Sequence, residues 1–193
     1  MLPTFKLPAL LAALLLAGAC APLAPPPSAP DAPLAAPPAA AATGQHYRAV
    51  ITAVSDGDTV RVRTAGGQTR RIRLAFIDAP ETTQPHGMES RAALAALVDG
   101  REAEVEIIDT DRYRREVARL RVDGRDVNFT QVQNGHAWHY RSIAKHNQRK
   151  DDYAHYATAE QYAREQRIGL WRQPDPTAPW DHRRTRRKAD KPQ

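Results

Sequence analysis

The chain has 193 residues and carries 28 lysines and arginines against 22 acids, a formal net charge of +6, with a single cysteine, Cys20. A lone cysteine excludes a disulfide framework, so the fold must be held by a packed core. The apolar run Leu7 to Leu16 is too short to span a bilayer, and no other stretch is a transmembrane candidate. The excess charge is uneven: residues 1–43 are neutral, while residues 44–172 and 173–193 each carry +3.

Residues 1–19 are expected to be an export signal. Lys6 precedes the apolar run, and Ala17-Gly18-Ala19 lead into Cys20. The pattern resembles a bacterial lipoprotein signal, in which Cys20 becomes the acylated first residue of the mature chain. The alternative is an ordinary signal with an Ala-x-Ala site, cut at the same bond to leave a free thiol. Either way the protein is exported, as an envelope lipoprotein facing the periplasm or exterior, or secreted.

Residues 20–43 are mostly alanine and proline, with eight of the sixteen prolines between Pro22 and Pro38. Such a stretch builds no apolar face. It is expected to be a disordered, semi-extended tether reaching on the order of 60–70 Å at about 3 Å per residue.

The folded part is expected over 44–172. Strand signals come first: Arg48 to Val54, Thr59 to Arg63, and, after a Gly66-Gly67 turn, Arg70 to Ile77. Met88 to Val98 reads as a helix stopped by Asp99-Gly100. Two more strands follow, Ala103 to Ile108 and Glu116 to Val122, the second closed by Asp123-Gly124. Val127 to Gln133 and Lys150 to Gln166 complete three helices, the last carrying Tyr153, Tyr156 and Ala157 on one face. The class is therefore α+β, with five short strands suited to a small closed barrel. Residues 173–193 read as a flexible basic tail behind Pro174, Pro176 and Pro179. Its Arg183-Arg184-Thr185-Arg186-Arg187-Lys188 cluster suits a polyanion, or is simply a solvated tail.

Three runs carry the chemistry: Asp56-Gly57-Asp58-Thr59, Arg73 to Glu81, and Asp111 to Arg115. Breaking a phosphodiester requires a divalent cation on the phosphate oxygens, guanidinium groups to grip the growing charge, and a base for the attacking water. Asp58 and Asp78 are candidate metal ligands, Glu81 a base, and Arg73 and Arg115 phosphate clamps, since a guanidinium forks as lysine cannot. Oxygen ligands favour calcium or magnesium, and the seven histidines form no zinc-type set. These residues point to a metal-dependent nuclease. Strict alternation puts Arg73 and Asp78 on opposite faces, so the strand must bend or end between them if they converge.

The same runs resemble staphylococcal nuclease, or thermonuclease, over roughly residues 46–172, including Gly169-Leu170-Trp171. The resemblance implies an OB-fold barrel and a calcium-dependent endonuclease, binding one ion, that cuts DNA and RNA to leave 3′-phosphates. It implies that Asp58, Asp78 and the Ala79 carbonyl hold the calcium, that Glu81 is the general base, and that Arg73 and Arg115 hold the scissile phosphate. Arg112 and Tyr113 match residues lining the nucleotide site, while Trp138 and Tyr140 lie near the family's base-stacking tyrosines or else pack in the core. The implied partners are nucleic acid and, through Cys20, a membrane; the chain is expected to be a monomer. Ala79 stands where the best-known member has threonine, and Arg114 where the family often has glycine, which raises the alternative of a barrel that binds nucleic acid but cuts it poorly.

Overall fold

The computed structural model describes residues 43–190; the expected signal, Cys20 and nearly all of the proline-rich tether lie outside them. In chain order the strands are β1 (His46–Val54), β2 (Thr59–Thr64), β3 (Thr69–Leu74), β4 (Ile77–Asp78), β5 (Glu102–Thr110), β6 (Glu116–Val122), β7 (Arg125–Asp126) and β8 (Trp138–His139). The helices are α1 (Gly87–Val98), α2 (Val127–Gln133), α3 (Arg141–Asn147), α4 (Lys150–Glu165) and α5 (Pro179–Ala189), with a 3-10 turn over Gly169–Arg172.

Strands β3, β2, β1, β5 and β6 pair in that order, and a parallel β3–β6 pairing closes them into the expected five-stranded barrel. Alternating side chains fill it: Ile51, Val60, Val62, Ile72, Leu74, Val105, Ile107 and Leu120 are all buried. A bulge between Ile51 and Ala53 shifts the inward parity of β1, so that Val54 also faces the core. Leu94 and Val98 of α1 seal the interior.

The third strand stops earlier than its alternation suggested. It ends at Leu74, and Phe76 adopts a left-handed conformation with φ 68°. That reversal re-aims the chain, and residues 77–78 start a separate two-stranded ribbon in which Asp78 pairs with Trp138. Asn128 of α2 fixes the corner: its Nδ2 donates to the Ala75 and Ala118 carbonyls at 3.0 and 3.1 Å, and its Oδ1 accepts from the Leu120 amide at 3.1 Å. A non-glycine residue held at positive φ costs about 1–2 kcal/mol and persists only where its surroundings over-determine it.

Two helices exceed the expected three. Besides α3, the stretch expected to be a flexible tail forms α5 over Pro179–Ala189. Its ends are well matched to a helix: Pro179 sits in the first turn with Asp181, and Arg186, Arg187 and Lys188 occupy the last. Trp180 packs against a second apolar cluster of Trp138, Ala163, Leu170 and Trp171. Basic composition suggested disorder because a single tryptophan contributes little to an average, yet it supplies the anchor.

Arg114, in the loop joining β5 to β6, has φ 60°. Arg114→Gly is expected to stabilise the fold by about 0.5–1 kcal/mol, the relief of left-handed strain less the extra freedom glycine has when unfolded. Calorimetry should show the melting temperature rising by about 1–3 °C.

Candidate active site

Asp58 lies at the start of β2, carried by the Asp56-Gly57-Asp58 turn in which the Asp58 amide donates to Asp56 Oδ1 at 3.0 Å. Gly57 is required here by close approach rather than by its torsion. A Cβ built on it would sit 1.9 Å from Ser90 Oγ and 2.7 Å from the Ala79 Cβ. The turn is thus pressed against the loop that follows β4. Gln131 of α2 completes the seat by donating to the Gly57 carbonyl at 2.9 Å.

Arg73 joins the two loops. Its Nη1 lies 2.9 Å from Asp58 Oδ2, and its Nη2 donates to Asp78 Oδ1 at 2.9 Å. The same Nη1 donates to the Leu74 and Ile77 carbonyls, each at 3.1 Å, so the guanidinium also ties down the corner that turns Asp78 inward. Asp58 further accepts from the Ala79 amide at 2.7 Å and from the Thr59 hydroxyl at 3.1 Å. Thus Asp58, Arg73 and Asp78 meet although they come from different elements, and the ending of β3 resolves the parity conflict between Arg73 and Asp78.

Both carboxylates are buried, Asp78 completely. Burial pushes the Asp58 carboxyl up to about 8, against the pull of Arg73, with Asp56 and Asp78 adding like-charge repulsion. The two aspartates share the Arg73 guanidinium, and Asp78 also pairs with Arg183 of α5. Glu81 lies on the rim, its side chain 32% exposed, with its amide donating to Gln84 Oε1 at 2.9 Å.

The second guanidinium, Arg115, ends the loop that joins β5 to β6. In the parallel β3–β6 register Arg73 is opposite Val117, and Arg115 precedes that residue by two, just before β6 begins. Arg115 is held by its own loop: its Nε donates to Asp111 Oδ2 at 2.7 Å, and Asp111 Oδ1 accepts from the Tyr113 and Arg115 amides at 2.9 Å. Arg112 and Arg115 both lie over the ring of Tyr113, which is 64% exposed.

The two remaining aromatic candidates differ from each other. Trp138 is buried, edge-on to Trp171 and Trp180, and presents no open face to a base. Tyr140 stacks flat on Trp180, with ring centroids 5.2 Å apart and planes 4° off parallel. They border a cleft of about 690 Å³ also lined by Arg141, Glu160, Arg164 and Trp180.

Sequence reasoning missed Arg183 of α5. Its Nη2 donates to Asp78 Oδ2 at 2.6 Å, and its Nη1 donates to Asp78 Oδ1 at 3.1 Å and to Glu81 Oε1 at 2.9 Å. The signal was there in the spacing: Trp180 and Arg183 stand three apart behind a helix-starting proline, which places them on one face. Gln84 was missed as well; besides holding Glu81 it donates to the Thr177 carbonyl at 3.0 Å, linking the acidic loop to the approach of α5.

Among the described residues, no three Asp, Glu, His or Cys side chains converge as a ready-made metal cluster. The donor set is nevertheless of the kind a hard cation takes: the buried carboxylates of Asp58 and Asp78 are brought together at one place by Arg73, and main-chain oxygen and water can complete such a shell.

A small closed five-stranded barrel with helices of this kind has the OB-fold architecture. A model of the staphylococcal nuclease homologue family matches residues 71–173, a span that includes Arg73, Asp78, Glu81 and Arg115. The micrococcal nuclease of Shigella flexneri is 37% identical over 152 residues, covering 74% of this chain and 84% of that protein. An uncharacterized endonuclease of Haemophilus influenzae is 33% identical over 137 residues, covering 69% and 71%. The staphylococcal-like nuclease CAN1 of Arabidopsis thaliana is 36% identical over 117 residues, which are 61% of this chain. This chain spans about a third of the length of such plant relatives, 34% for that protein and 30% for a rice one. The chain belongs to the staphylococcal nuclease family.

Proposed function

We propose that this protein is an exported, calcium-dependent endonuclease that hydrolyses the phosphodiester bonds of DNA and RNA, tethered to a membrane through acylated Cys20. The observation that carries the reading is the meeting of Asp58, Asp78 and Arg73 at the barrel seam with Glu81 on its rim. Family membership supports it, and so do the names of the bacterial relatives.

Asp58 and Asp78, with the Ala79 carbonyl, would hold the calcium. When bound, the ion would supply positive charge to the phosphate oxygens. Arg73, beside the aspartates, and Arg115, from the loop that joins β5 to β6, clamp the scissile phosphate. Glu81, on the solvent side, takes a proton from the attacking water. A new P–O bond forms as the bond to the 5′ oxygen breaks, and the leaving oxygen is protonated from solvent, so the product carries a 3′-phosphate. Tyr113, exposed and flanked by two arginines, offers a face to a nucleobase.

The test is cleavage of plasmid DNA and of a long RNA by the full chain, with calcium and with a chelator. Calcium should support cleavage of both, and chelation should abolish it. Folded protein that binds DNA in a salt-dependent way, with no hydrolysis at saturating calcium, would instead establish the binding-module alternative. For the tether, Cys20→Ser should move the protein from the membrane to the soluble fraction of the envelope.

A further inference from the structure

Helix α5 reaches into the site at two places at once. Arg183 covers both oxygens of Asp78 and one of Glu81, so it takes up the acceptors that a cation and a water-activating base must have free. Three residues earlier, Trp180 lies flat on Tyr140 and covers a ring face that could otherwise stack on a base. A guanidinium thus stands where positive charge is needed, and an indole stands where a planar ring would go.

The way the helix is attached indicates that it can leave. Asp78 is fully buried but the Arg183 side chain is 30% exposed, so the guanidinium enters from the solvent side. Within α5 Pro179 is the one buried residue, and the last two turns, including Arg184, Arg186, Arg187 and Lys188, are exposed. Its hold on the body is confined to its N-terminal end and the approach to it: Ala178 and Trp180 on the second apolar cluster, the buried Pro179, Arg183, and the Gln84 bond to Thr177. The last two turns bury nothing, and a segment anchored at one end only is of the kind that opens locally.

We propose that α5 is an autoinhibitory latch, in which Arg183 and Trp180 occupy the cation and base positions until calcium and nucleic acid displace them. This rests on the calcium reading of Asp58 and Asp78. With Arg73 already on Oδ1, the Arg183 guanidinium across both oxygens of Asp78 competes with a cation for the remaining lone pairs and opposes its charge, so calcium binds the open state more tightly. Its apparent affinity is then reduced by the fraction of molecules that are open. Once released, the basic last turns of α5 are free to lie along a polyanion.

Calcium titration calorimetry on the full chain tests the latch without any cleavage assay. Arg183→Gln is expected to bind calcium about tenfold more tightly or better, given the coupling typical of close, desolvated charge pairs. Trp180→Ala, which loosens the other anchor, should shift affinity in the same direction. A measurement on the unmodified chain guards against a variant that fails to fold: amide hydrogen exchange across residues 179–189 should accelerate when calcium is added. Affinity unchanged or weakened in folded Arg183→Gln, or calcium bound with α5 still protected, overturns the latch while leaving the calcium site intact. Absence of calcium binding in every form overturns the calcium reading and the latch with it.

Discussion

Arg73→Lys is expected to lower the rate of DNA cleavage by about 10²–10³-fold, the usual cost of losing one preorganised donor to a developing oxyanion. Charge is conserved in this variant, so the loss isolates geometry. Arg73 holds Asp58 and Asp78 with separate nitrogens and also bonds two carbonyls at the corner between β3 and β4. An ammonium is a compact point charge on a flexible stem and cannot reach both aspartates in a fixed plane. One carboxylate is then left poorly partnered in a buried position, and stability should fall by about 1–3 kcal/mol. Initial rates on plasmid, paired with calorimetric unfolding of the same sample, separate the two effects. Cleavage within about threefold of the native rate would remove the fork from the mechanism.

The barrel was legible because it depends on local rules. Alternation in Thr59–Thr64 and Glu116–Val122, the Asp123-Gly124 turn and the Asp99-Gly100 stop each act over a few residues, and the structure follows them. Both residues of the Asp123-Gly124 turn have positive φ, as the turn chemistry demands. The acidic runs were legible for a different reason: carboxylates and arginines spaced through turns have few structural uses in combination.

What stayed hidden depends on contacts between distant parts of the chain. The left-handed Phe76, which lets Arg73 and Asp78 meet, is set by Asn128 some fifty residues away in sequence and carries no glycine to announce it. Gly57 looked like ordinary turn chemistry, but its reason is the surface of Ser90 and Ala79. Arg183 was submerged in a basic cluster, where charge counting treats five cations alike; only the tertiary fold singles out the one that reaches Asp78. For Trp138 the sequence left base stacking and core packing open, and the second apolar cluster takes it for packing.

Glu81→Gln carries the largest expected effect, a fall in kcat of about 10²–10⁴-fold with KM little changed. The amide keeps the size of the carboxylate, and its oxygen can still accept a hydrogen bond from Arg183, so the rim loop should hold its shape. The backbone anchor from Gln84 is independent of the side chain and survives the change. What the amide cannot do is take a proton from water. Single-turnover cleavage with enzyme in excess measures that step directly, while KM under steady state reports substrate grip. If the loss appears in KM instead, Glu81 is positioning the substrate. If neither constant moves, the proton goes elsewhere, and the bond between Glu81 and Arg183 becomes simply part of what fastens the C-terminal helix.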